Sequence, residues 1–148
     1  MKEINSFSEA DTKKAAKEIA KNLSAAKNGP KVVCLKGQLG AGKTVFVKGF
    51  SEMLGIDPCL VKSPTYTFLR KYMAKGVCIY HFDYYRLNET NDLVENEIME
   101  IIDGENNIVL IEWPEKIEHI LPEDRIEILI EHEGKGKNNR KIKINNFK

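Results

Sequence analysis

Eight consecutive residues, Gly37-Gln38-Leu39-Gly40-Ala41-Gly42-Lys43-Thr44, combine the residue types that hold a polyphosphate and its metal. Their pattern is Gly, four residues, then Gly-Lys-Thr, the Walker A spacing. Glycines let the main chain turn tightly and come close to an anion. Successive N–H groups, with the N-terminus of a following helix, then point at phosphate oxygens. In that arrangement Lys43 reaches the β- and γ-phosphates and the Thr44 hydroxyl is a magnesium ligand. The chemistry implied is binding of a nucleoside triphosphate with Mg2+. No Asn-Lys-x-Asp motif for reading guanine occurs, which favours ATP over GTP.

Such a site also needs a carboxylate near the magnesium and a group that positions the attacking water. Two acids stand at the ends of apolar runs: Asp83 after Val-Cys-Ile-Tyr-His-Phe, and Glu112 after Ile-Val-Leu-Ile. Either residue type, at the carboxyl end of a buried strand, can be the Walker B acid that reaches the metal directly or through water; a solvated turn residue is the alternative for each. His81 reads first as a packed or hydrogen-bonded histidine rather than a base. Trp113, the single tryptophan, reads first as packing, with stacking on a base or partner as the second possibility.

The surrounding pattern supplies the elements that must position these groups. Glu3 to Phe7 reads as a short strand. Ser8 is the N-cap of a helix with Ala15, Ala16, Ile19, Ala20 and Leu23 at helical spacing, ended by Gly29-Pro30. Lys31 to Lys36 is a buried strand that runs straight into the glycine-rich loop, and Thr44 to Leu54 is the helix after it, stopped by Gly55. Tyr66 to Tyr72 and Val77 to Phe82 are expected as strands joined at Ala74-Lys75-Gly76. Glu89 to Ile102 is expected as a helix with Leu93, Ile98, Ile101 and Ile102 on its apolar side. Asn107 to Trp113 is a strong buried strand, and Pro114 to Ile120 a short helix. Arg125 to Glu133 and Arg140 to Asn145 alternate apolar and polar residues across Gly134-Lys135-Gly136, a terminal hairpin with one solvated face. The sum is an α/β layered domain with a mixed, mostly parallel sheet and a C-terminal hairpin.

The chain has 148 residues, the size of a single domain spanning 1–148. Its 23 basic and 22 acidic residues nearly cancel, which argues against coating nucleic acid by bulk charge, so DNA is not an expected partner. The three cysteines, Cys34, Cys59 and Cys78, are odd in number and form no C-x-x-C pair, the usage of reduced thiols in the cytoplasm. No apolar run approaches 18 residues, and the N-terminus lacks the apolar stretch of a signal peptide, so no membrane role is expected.

Several blocks together resemble one family. The loop at 37–44, Lys-Ser-Pro-Thr-Tyr-Thr at 62–67, His-Phe-Asp-Tyr-Tyr-Arg-Leu at 81–87 and Ile-Glu-Trp-Pro-Glu-Lys at 111–116 are similar, in order and spacing, to the bacterial TsaE (YjeE) family, from about Ser8 to Arg140. Departures at Gln38, where the family often carries Asp, and Val45, where a second Thr is frequent, leave the phosphate chemistry untouched. The resemblance implies a P-loop ATPase of threonylcarbamoyladenosine synthesis, the modified adenosine beside the tRNA anticodon. It implies action on a TsaB–TsaD complex, which the ATP cycle resets, and contact with tRNA only through that complex. It assigns Lys43 and the amides of Gly37, Leu39, Gly40, Ala41, Gly42, Thr44 and Val45 to the phosphates and Thr44 to magnesium. Asp83 becomes its Walker B acid and Glu112 a further magnesium-linked acid. Thr65 falls in a segment resembling a γ-phosphate switch, Trp113 and Glu115 fall near the site, and Ser8 and Arg140 are nucleotide contacts. Two other readings of the residues stand beside this one. A small-molecule kinase would usually need an arginine-bearing lid, and Arg70, Arg86, Arg125 and Arg140 are scattered. A nucleotide-gated binding module with vestigial hydrolysis is the non-enzymatic alternative.

Overall fold

A computed structural model describes residues 1–26 and 31–146 of the chain. The expected helix stop at Gly29-Pro30 lies outside the described residues. Seven strands form one sheet in the order β1-β7-β6-β2-β5-β4-β3: β1 (Lys2–Ser6), β2 (Val32–Lys36), β3 (Leu69–Ala74), β4 (Val77–Asp83), β5 (Asn107–Glu112), β6 (Ile126–His132) and β7 (Arg140–Asn145). The central run β6-β2-β5-β4 is parallel, while β3 and β7 run against their neighbours. The mixed, mostly parallel layered fold and the terminal β6–β7 hairpin are therefore present as expected.

Helices cover both faces, as a buried parallel sheet requires. The first core joins α1 (Glu9–Ala25) and α2 (Lys43–Met53) to Val33, Leu35, Ile79, Leu110 and Ile128 of the sheet. The opposite core joins α3 (Asp92–Asp103) and a 3-10 helix, Pro114–Ile120, to Cys34, Phe82, Val109 and Ile111. Each fully buried Leu, Ile or Phe contributes about 1.5–3 kcal/mol relative to exposure. The α1–α2 pair packs closely because Gly49 carries no Cβ; one placed there would lie 2.6 Å from the Lys13 Cα.

Local chemistry sets the ends. Ser8 caps α1 by accepting from the Asp11 N–H at 3.1 Å, and Asp11 Oδ2 accepts from the Phe7 N–H at 3.0 Å. Lys75 and Gly76, at φ 50° and 78°, make the tight β3–β4 turn. Two element starts differ from expectation by more than one residue. The strand expected from Tyr66 begins at Leu69, because Phe68 takes a φ of 69° and the Thr67 and Phe68 N–H groups both donate to Pro64 O, closing a turn instead. The helix expected from Glu89 begins at Asp92, because the Asn91 side chain caps it by accepting from the Val94 N–H. Leu93, expected on the apolar side, is 80% exposed, and Val94 packs in its place beside Ile98, Ile101 and Ile102.

Candidate functional site

Because β2, β4 and β5 are parallel, their carboxyl ends lie along one edge of the sheet. The chain leaves β2 into the glycine-rich loop, β4 ends on Asp83 and β5 ends on Glu112. Asp83 and Glu112 are register partners, and Leu35 is the partner of Glu112 on its other side. The chain leaves β2 through α2, which packs on one face of the sheet, and leaves the neighbouring β5 through the 3-10 helix, which packs on the other. The crevice therefore sits where strand order reverses, the place where open α/β sheets bind ligands. A cavity of about 270 Å³ opens there, walled by Leu39, Gly40, Gly42, Lys43, Thr44, Val45, Ser63, Thr65, Asp83, Glu112 and Trp113. A second hollow of about 110 Å³ adjoins it across the loop, walled by Ser8, Glu9, Thr12, Gly40, Ala41, Gly42, Val45, Asn138 and Arg140.

The loop geometry depends on glycine at two points. Gly37 has φ +142°, and a Cβ there would lie 2.4 Å from the Ile130 carbonyl oxygen. Gly42 has φ +108° as the N-cap of α2 and offers no side-chain cap, so the first N–H groups of α2 face the cavity mouth without a side-chain partner. The Lys43 ammonium is held beside them, donating to Gly37 O at 2.7 Å and Gln38 O at 3.0 Å and lying 4.7 Å from the Trp113 ring centroid. Burial pushes its pKa below the ordinary 10.5, opposed by the nearby charges of Glu112, Asp83 and Glu115.

Both acids are buried and oriented. Asp83 Oδ1 accepts from the Tyr85 N–H at 2.8 Å, and its Oδ2 accepts from the Thr65 hydroxyl at 2.7 Å. Glu112 Oε1 meets His81 Nε2 at 2.8 Å. Trp113, the next residue, has a left-handed φ of 58° and packs its ring 5.1 Å from that of Tyr85. A buried lysine, a hydroxyl and two oriented carboxylates thus surround helix N–H groups, an arrangement able to bind an anion together with a hard cation. Among the described residues, no group of three or more His, Cys, Asp or Glu side chains could hold a metal ion by itself.

The expected site residues Leu39, Gly40, Gly42, Lys43, Thr44, Val45, Thr65, Asp83 and Glu112 converge on the main cavity. Ala41, Ser8 and Arg140 meet in the adjoining hollow. Gly37 lies behind the loop against β6. Arg140 faces the loop main chain, its Nε donating to Ala41 O at 2.8 Å. Sequence reasoning gave no role to Ser63, Tyr85 or Lys116. Lys116 Nζ donates to Tyr84 O at 2.9 Å and Tyr85 O at 3.1 Å, and also to Leu87 O, clamping the turn after Asp83. The only signal for Ser63 and Lys116 was their place inside the Ser-Pro-Thr and Trp-Pro-Glu-Lys blocks.

Strand, glycine-rich loop and helix at the switch point, with acids on two neighbouring strand ends, define a P-loop NTPase-type protein. The family described as Threonylcarbamoyl adenosine biosynthesis protein TsaE matches residues 6–142. Among curated relatives, the tRNA threonylcarbamoyladenosine biosynthesis protein TsaE of Bacillus subtilis is 41% identical over 119 residues, covering 80% of this chain and 72% of its own. The protein of the same name from Aquifex aeolicus is 37% identical over 145 residues, covering 97% of this chain and 96% of its own. Among solved structures, the crystal structure of Bacillus subtilis YdiB aligns with a TM-score of 0.70 at 34% identity, covering 95% of this chain and 82% of that one. The chain belongs to the TsaE family. Among the described residues, no helix is long and apolar enough to cross a membrane.

Proposed function

We propose that this chain binds ATP with Mg2+, hydrolyses it to ADP and phosphate, and thereby serves threonylcarbamoyl modification of the tRNA adenosine beside the anticodon. It acts in the cytoplasm on a TsaB–TsaD complex and meets tRNA through that complex. The observation that carries the reading is the convergence of Lys43, Thr44, Asp83 and Glu112 on one cavity at the head of α2. In this reading the loop amides and Lys43 hold the β- and γ-phosphates, where an oriented ring of donors stabilises charge that builds during phosphoryl transfer. Thr44, Asp83 and Glu112 are hard oxygen donors that would hold Mg2+ directly or through water. When bound, Mg2+ supplies charge neutralisation of the phosphates. Ser8 and Arg140, walling the adjoining hollow, border the nucleoside.

Thr65 supplies the link from nucleotide to partner. Its hydroxyl rests on Asp83, and its segment is a turn beside the cavity rather than a ladder-paired strand. A γ-phosphate that competes for these groups reorders the turn, and hydrolysis releases it, which is how nucleotide state becomes a binding signal. The test is phosphate release from ATP by the purified chain, alone and with TsaB–TsaD and threonine-accepting tRNA. The reading expects slow release alone and faster release with the complex. No release under either condition rejects it, and phosphate moved onto a metabolite points to a kinase instead.

A further inference from the structure

His81 is completely buried, yet among the described residues the one polar contact of its side chain is the bond from its ring to Glu112. Its other ring nitrogen, Nδ1, is buried with no hydrogen-bond partner among the described residues. A side chain present only to fill the core would not carry an unpartnered nitrogen, because burying a polar atom unpaired is costly. The sheet explains the pairing. Successive side chains on a strand alternate between faces, so His81 shares a face with Asp83. Asp83 is the register partner of Glu112 and His81 is the register partner of Leu110, which puts His81 diagonally behind Glu112, one step deeper in the sheet.

From there the ring acts on one oxygen. An ionised carboxylate only accepts, so His81 Nε2 is the donor of the bond. Glu112 Oε1 is committed to that bond at 2.8 Å. Its Oε2 has no hydrogen bond among the described residues, and the Glu112 side chain forms part of the cavity wall beside Lys43 and Thr44. The two acids are thus set by different means: Asp83 by a main-chain N–H and the hydroxyl of a turn residue, Glu112 by a ring buried in the core.

We infer that His81 is a positioning residue of the ATPase site, whose Nε2–H fixes the Glu112 carboxylate so that a single oxygen is presented to the metal-bound phosphates. The inference rests on the ATPase reading above. It makes turnover, rather than nucleotide affinity, the quantity sensitive to His81.

The test compares His81→Leu, which removes the donor, with His81→Gln, which returns an N–H at a similar reach. Both are made in the full chain and assayed with the TsaB–TsaD complex. Loss of the outer partner of a metal-linked group is expected to lower kcat by roughly ten- to a hundredfold. Mg·ATP affinity by calorimetry should stay within about threefold, since the phosphate-binding loop is untouched. His81→Gln should recover most of the turnover, and His81→Leu placed on Glu112→Gln should add little to the loss already present. Nitrogen-15 spectra of the histidine rings supply a readout independent of activity: His81 should carry its proton on Nε2, and Glu112→Gln should shift that resonance. Wild-type turnover in His81→Leu, or a folded His81→Gln no better than His81→Leu, overturns the inference, as does a ring with no proton on Nε2. Should His81→Leu fail to fold, His81→Gln and the ring spectra decide. Absence of hydrolysis by the unaltered chain would reject the ATPase reading, while the ring spectra would still show whether the bond to Glu112 exists.

Discussion

Gly37→Ala probes the way β6 shapes the phosphate loop. Gly37 has φ +142°, a conformation that side-chain-bearing residues rarely adopt, and its new Cβ would stand 2.4 Å from the Ile130 carbonyl oxygen. Ordinary contact is about 3.4 Å or more, so either the loop or strand β6 must move, and main chain yields poorly. Backbone strain at such a position costs about 1–3 kcal/mol. Overpacking adds a further loss of about 1–3 kcal/mol. The sum, roughly 2–6 kcal/mol, is a large share of a typical stability of about 5–15 kcal/mol. Gly40→Ala is the matched control: φ is +79°, but no atom lies within 4 Å of the new Cβ, so only the left-handed strain of about 1–2 kcal/mol remains. Urea unfolding at equilibrium measures both. Because Gly37 O also accepts from Lys43 Nζ, a displaced Gly37 should weaken Mg·ATP binding as well. If Gly37→Ala proves no more destabilising than Gly40→Ala, the contact with Ile130 is not what shapes the loop and the reasoning fails.

Other consequences are open to direct measurement. On the proposed reading, Asp83→Ala and Glu112→Ala should each lower ATP turnover at least tenfold while changing nucleotide affinity less, because both would serve the metal rather than anchor the phosphates; normal hydrolysis by Glu112→Ala would remove its catalytic role. The Asp11 carboxyl is held below its ordinary 3.8 chiefly by the Phe7 N–H and then by Ser8. A depressed carboxylate stabilises the fold above its unfolded pKa, and that contribution disappears as pH falls from about 3.8 through the lower folded value. Urea unfolding of Asp11→Asn across that acid range should therefore lack this part of the pH dependence. Burial pushes the Cys34 thiol up to about 12, whereas Cys59 is exposed. A disulfide reagent at neutral pH should thus modify Cys59 rapidly in the native chain and Cys34 only on unfolding; equal rates would contradict the packing of β2.

The phosphate loop was legible because its chemistry is local. Its donors are main-chain groups of eight adjacent residues, and the apolar run before it and the helical pattern after it are short-range signals. Asp83 and Glu112 were legible as strand-end acids, but their pairing was not, since alternation and apolar runs reveal strands without revealing which strands are neighbours. Thr65 shows the limit most clearly. The aromatic run after it favours a strand, yet Phe68 turns left-handed and the segment folds back so that the Thr65 hydroxyl meets Asp83, a contact set by tertiary packing. Leu93 illustrates the same limit on a helix, where moving the start to Asp92 and packing Val94 leaves Leu93 in solvent. The hold of Arg140 on Ala41 O spans nearly the whole chain, and no local pattern carries it.

Calorimetric titration with Mg·ATP, run in parallel on the unaltered chain and on Lys43→Ala, bears most directly on the cavity at the head of α2. One equivalent of nucleotide should bind the unaltered chain, with the heat largely lost in the folded variant, because Lys43 is the sole cation among the described residues in the wall of that cavity. Equal binding by both proteins, or no heat from either, would contradict the account.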